Sequence, residues 1–88
     1  MKLKQDTLGI GRNLKRLREG MGLSQSQFTR LLQLNGVSIS CDVYKKMEQN
    51  RYNIRIYELM VMKQLFDVNY DEFFRDLSLD GITSDVDS

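Results

Sequence analysis

Cys41, Asp42, Lys45, Lys46 and Gln49 fall on one side of a short segment whose other side is Val43, Tyr44 and Met47. Together they offer a thiol, a carboxylate, two ammonium groups and an amide, which is chemistry for hydrogen bonding and charge pairing. Catalysis is disfavoured, because the chain contains no histidine to serve as a base near neutral pH and no nucleophile placed beside a base. A metal centre is disfavoured too, since one cysteine without histidine cannot build a ligand cluster. No enzyme activity, metal or cofactor is therefore expected. Cys41 near a helix start reads either as a redox-responsive thiol or as an inert one. Being alone, it cannot form an intramolecular disulfide, which fits a cytoplasmic setting.

These residues need elements to hold them, and the spacing predicts an all-α chain. Proline is absent and alternating β-branched runs are few. A first helix follows from Ile10, Leu14, Leu17 and Met21, with Asp6 or Thr7 as its cap and Gly20 and Gly22 ending it. Ser24, with Gln27 three residues on, forms a capping box for a second helix whose inner face is Phe28, Leu31 and Leu32. Residues 33–39 read as a loop around the Asn35-Gly36 turn signal. Ser40 then caps the segment that carries the polar cluster, and Asn50 can close it in a left-handed conformation. A fourth helix is expected from Ile56 to Phe66 with Leu59, Met60, Met62 and Phe66 inward. A short fifth begins at Asn69 and packs Tyr70, Phe73, Phe74 and Leu77. The expected organisation is one domain over residues 1–77 and a mobile acidic tail over 78–88.

Length and charge narrow the function further. Eighty-eight residues make a single small domain, without an apolar run long enough to span a bilayer and without a secretory signal pattern. Net charge is only +1, but residues 1–55 hold eleven bases against four acids and residues 56–88 two bases against eight. Such a split suits either a face for a polyanion with an acidic end held away from it, or two ordinary solvated faces. Two short helices joined by a turn, the second carrying long polar side chains outward, match the dimensions of a DNA major groove.

Several runs occur in an order that resembles a known family: Leu17-Arg18-Glu19, Gly22-Leu23-Ser24-Gln25, Ile39-Ser40, Met47-Glu48-Gln49-Asn50, and Asp67-Val68-Asn69-Tyr70-Asp71-Glu72-Phe73-Phe74. From about Ile10 to Phe74 the chain is similar to the phage-repressor and Cro, or xenobiotic-response-element, type of helix-turn-helix. The resemblance implies a five-helix, lambda-repressor-like bundle acting as a sequence-specific transcriptional regulator, a repressor, of the kind found in bacteria and phages. It also implies a homodimer on double-stranded operator DNA, with helix five as the candidate contact between copies. By position, Cys41, Asp42 and Lys46 match base-reading residues, while Ser40, Lys45, Gln49 and Asn50 match residues near the sugar-phosphate backbone. Gln25 matches a residue that touches phosphate and braces the reading helix. Arg18 and Glu48 match a structural ion pair. Under that reading Lys46 donates to guanine O6 or N7 and Asp42 accepts from cytosine N4.

The chain departs from the family pattern at three places. About five extra residues lengthen the turn between Leu32 and Ser40, as in a Firmicutes-like subset, and Thr29 replaces a typical alanine. Asp42 is an unusual charge on a phosphate-facing surface and reads equally as a partner of the helix dipole. Arg12, Lys15 and Arg16 read as phosphate contacts or, more commonly, as solvated helix charges. The alternative function is a protein-interaction or antitoxin module using the same bundle, with the acidic final third as the surface for a protein partner.

Overall fold

In the computed structural model, residues 2–3 and 9–77 are described, so Asp6, Thr7 and the 78–88 tail lie outside the described residues. The architecture is mostly helical. Strand β1 (Lys2–Leu3) is followed by α1 (Gly11–Gly20), α2 (Gln25–Leu34), α3 (Cys41–Glu48), β2 (Ile54–Arg55), α4 (Ile56–Phe66) and a 3-10 helix (Tyr70–Phe74). The strands form a two-residue antiparallel ladder, Lys2 opposite Arg55 and Leu3 opposite Ile54, which the helical spacing did not announce.

Each start and stop has a local cause. Ser24 and Gln27 close the capping box of α2, the hydroxyl accepting from Gln27 N–H and the Gln27 amide oxygen accepting from Ser24 N–H. Ser40 Oγ accepts from Val43 N–H to start α3, and Asn50 follows that helix with φ of 61°. Helix α1 begins later than the expected caps. Its flanking residue, Ile10, provides no side-chain cap, and the Gly11 amide donates instead to Asn50 Oδ1 at 2.8 Å, 39 residues away. Helix α2 runs through Gln33 and Leu34, so the connection to α3 is residues 35–40, shorter than the expected loop.

The core is built from Ile10, Leu14, Phe28, Leu32, Tyr44, Met47, Ile54, Leu59, Met62, Phe66 and Phe73, joined by two residues of the α2–α3 loop, Val37 and Ile39. Those two peg the loop to the core, and Gln33 Nε2 holds the Ile39 carbonyl at 2.8 Å. The extended turn is thus a packed connection. Phe28 stacks on Phe66 with centroids 4.7 Å apart and meets Tyr44 at 60°, while Phe66 reaches Phe73 at 6.1 Å. Some expected core positions face outward: Met60 is 50% exposed, and Met21, Tyr70 and Phe74 are exposed as well.

The described residues contain four α-helices, so the expected fifth is corrected to a 3-10 turn. The cause lies in α1. Asn13, buried on the apolar side of α1, donates to the carbonyls of Phe73 at 2.9 Å and Arg75 at 2.8 Å. Arg16 donates to the Glu72 carbonyl and pairs with its carboxylate at 3.2 Å, and Arg12 donates to the Asp76 carbonyl. Acceptors that a longer α-helix would use internally are claimed across the interface, and the left-handed Asp76 turns the chain away. Asn13→Ala leaves two carbonyls short of their donor, and a loss of about 1 to 3 kcal/mol in urea-unfolding stability is expected. An unchanged midpoint would show that this clasp carries no stability.

Candidate nucleic-acid interface

Helix α3 is divided lengthwise by burial. Tyr44 and Met47 are fully buried and Val43 partly so, whereas Asp42, Lys45, Lys46 and Gln49 are exposed at i, i+3, i+4 and i+7. The outward row therefore contains one acid, two bases and one amide. None of its charges makes an ion pair among the described residues. Asp42 sits in the first turn and Lys45 and Lys46 in the last, the arrangement the helix dipole favours.

The buried side fixes the orientation of that row. Arg18 Nε donates to Glu48 Oε2 at 2.7 Å and Nη2 to Oε1 at 3.2 Å, with side-chain exposures of 9% and 4%. Arg18 Nη1 also holds the Leu23 carbonyl at 2.7 Å, and Gln25 Nε2 donates to Glu48 Oε1 at 2.9 Å. One carboxylate thus receives donors from α1 and α2 and pins the last turn of α3 to both. Burial pushes the Glu48 carboxyl up, but the donors from Arg18 and Gln25 outweigh it and hold it below the ordinary glutamate range. The hydrogen bond to Glu48 in turn raises the Arg18 guanidinium, against the burial that opposes it. Beside them the buried Tyr44 Oη lies by the Glu48 carboxylate without a hydrogen bond of good geometry among the described residues, and burial, with that neighbouring charge, lifts the phenol far above its usual range.

A second attachment fixes α3 at the same end. An added Cβ at Gly11 would overlap the backbone carbonyls of Glu48 and Met47, so α1 approaches α3 backbone to backbone. Asn50 Oδ1 then takes the Gly11 amide.

The expected site residues separate into two groups. Ser40, Asp42, Lys45, Lys46 and Gln49 share the exposed side. Ser40 uses an oxygen lone pair in capping and retains its hydroxyl proton as a donor. Cys41 is half-buried, its Sγ 3.5 Å from Ser26 Oγ on α2, and Asn50 is half-buried with its oxygen committed to Gly11. Gln25 is half-buried and engaged with Glu48. Thr29, also buried, donates its hydroxyl to the Gln25 carbonyl within α2. Of the α1 bases, Arg12 and Arg16 are engaged by the C-terminal segment, leaving Lys15 exposed.

Two further bases border the row. Arg30 lies on the α2 stripe Ser26, Arg30, Gln33, whose outer members touch Cys41 and the Ile39 carbonyl, so it flanks the start of α3. Arg51 follows α3, its amide donating to the Lys46 carbonyl at 2.8 Å. Both are exposed and without an ion pair among the described residues. Their sequence signal was only charge, and assigning them to this side required the contacts on either side of them. Among the described residues no helix is long and apolar enough to cross a membrane. Searches of protein-family models, curated proteins and solved structures found no match to this chain.

Proposed function

We propose that the chain is a sequence-specific, double-stranded-DNA-binding regulator, a repressor of the helix-turn-helix type, with α2 and α3 as the two helices and α3 reading the major groove. The observation that carries this reading is the row Asp42, Lys45, Lys46, Gln49, left unpaired on a helix whose opposite side is locked by Arg18 and Glu48. A rigidly held helix with extended polar side chains fits a groove about 12 Å wide. Lys45 within the row and Arg30 and Arg51 beside it neutralise phosphates, which supplies affinity without sequence preference. Lys46 reads a guanine. Asp42 lies toward the α3 N-terminus, the end that enters such a groove, where its carboxylate suits a cytosine amino group. The family resemblance supports a lambda-repressor-like arrangement and a homodimer, since one such module covers a half-site.

Selection of bound sites from a random duplex pool tests the proposal. It should return two half-sites centred about one helical turn apart. Lys46→Ala should cost about 1 to 3 kcal/mol of specific binding and relax preference at one base position per half-site. A pool with no enriched site would refute it. The exposed aromatic rings of Tyr70 and Phe74 in the acidic third favour a second reading, a protein-interaction or antitoxin module. That reading predicts a stable heterocomplex with a neighbouring gene's product, indifferent to Lys46→Ala.

A further inference from the structure

Helix α4 is apolar on nearly every side, yet only part of it is covered. Leu59, Met62 and Phe66 face the core, and the one acid, Glu58, is 1% exposed, receiving the Arg55 amide at 2.8 Å and the Tyr52 hydroxyl at 3.1 Å. The opposite side carries Tyr57, 44% exposed, Met60, 50% exposed, and Gln64, with half-buried Val61 at the margin. These positions are i, i+3, i+7 and i+4, a continuous stripe. An apolar helix side of this kind on a small domain marks a contact surface.

The charges at the two ends of α4 select the occupant. Exposed Arg55 precedes the helix and exposed Asp67 follows it, and neither has an ion-pair partner among the described residues. Eleven residues separate them by about 18 Å along the axis, more than twice the ~8 Å screening length at physiological salt, so they do not neutralise each other within one chain. An antiparallel copy of the same helix places each base opposite the other chain's acid, twice over, and stacks Met60 near the two-fold axis. A two-fold contact demands such self-complementarity.

We infer that the Tyr57–Met60–Gln64 stripe of α4 is the surface on which two copies of this chain associate, antiparallel across a two-fold axis. The contact between copies is thereby placed on α4, in place of the 3-10 segment that the resemblance implied, where Phe73 is spent in the core and Tyr70 and Phe74 stay exposed. The inference deepens the homodimer part of the proposed function and uses nothing from duplex binding, so it is tested without DNA. The stripe is short, so weak association, at the micromolar end, is expected.

Sedimentation equilibrium of the full chain should show a monomer–dimer equilibrium in that range. Arg55→Glu should weaken it about tenfold and Met60→Glu should abolish it, each with an unchanged circular-dichroism melt. In a Cys41→Ser background, Met60→Cys should form an oxidised dimer at least tenfold faster than Leu34→Cys, a control at an apolar residue that is 72% exposed elsewhere. A strict monomer to several hundred micromolar would overturn the inference. So would a dimer insensitive to both charge substitutions, or equal crosslinking at the two cysteines.

Discussion

Arg18→Ala is expected to remove about 3 to 5 kcal/mol of folding stability, and Glu48→Ala a similar amount, because each leaves the other charge buried without its partner. Against a total of about 5 to 15 kcal/mol for a domain of this kind, either variant should lose a large fraction of its stability and unfold at a much lower urea concentration. The two losses will not add: the double Ala variant should be less destabilised than the sum, since the second substitution removes the charge stranded by the first. Urea unfolding of the four proteins in the cycle measures this. Additive losses would mean that the two side chains act independently.

The same pair sets an acid limit. Glu48 titrates below its unfolded value of about 4.5, so the unfolded chain takes up the proton first as pH falls. Its stabilisation is fully present above that value and is lost as pH drops through the lowered folded value. Glu48→Gln should therefore be less stable at neutral pH but show a flatter decline below pH 4.5. Equal slopes would place the acid sensitivity elsewhere.

Gly11→Ala is expected to destabilise by about 3 kcal/mol, opposite in sign to its helix propensity. In an open helix the exchange would gain 0.5 to 1 kcal/mol, because glycine is the poorer helix former. Here the new methyl overlaps the carbonyls of Glu48 and Met47, backbone atoms that yield only if α1 and α3 separate. Separation would also lengthen the Gly11–Asn50 hydrogen bond and release the end of α3. Thermal unfolding gives the sign directly, and a raised Tm would contradict the close approach. Gly20→Ala, where no atom lies within 4 Å of the new methyl, is the matched control.

How far the sequence revealed these features depends on whether the interaction was local. The Ser24–Gln27 capping box, the Ser40 cap, the bounds of α4 and the left-handed Asn50 depend on neighbours a few residues apart, and each was legible. Gly11 was not, because its reason is a carbonyl 37 positions away. Asn13 carried a usable signal: a polar residue between Ile10 and Leu17 on an apolar stripe is often recruited for a buried hydrogen bond. The expected fifth helix failed because acidic residues after Asn69 do favour a helix start, while the donors that divert its carbonyls lie on α1. Within the candidate interface, composition and spacing located the outward row on α3. They could not separate Asn50 and Cys41, drawn toward Gly11 and Ser26, from the residues left free. Arg12 and Arg16 are similar: as bases on a helix they resemble phosphate contacts, and only the C-terminal segment shows where they are used.

Salt-dependent binding to a labelled duplex, followed by fluorescence anisotropy, tests most directly whether the outer side of α3 is a DNA-binding surface. If Arg30, Lys45 and Arg51 each neutralise a phosphate while Lys46 donates to a neutral guanine edge, log Kobs should fall against log salt with a slope of about −3 per bound protomer. Replacing Lys45 and Lys46 together by alanine should reduce that slope by about 1, weaken specific binding further through the lost guanine contact, and leave the melting temperature unchanged. Absence of binding at low salt would contradict the account, as would a slope that the double substitution does not alter.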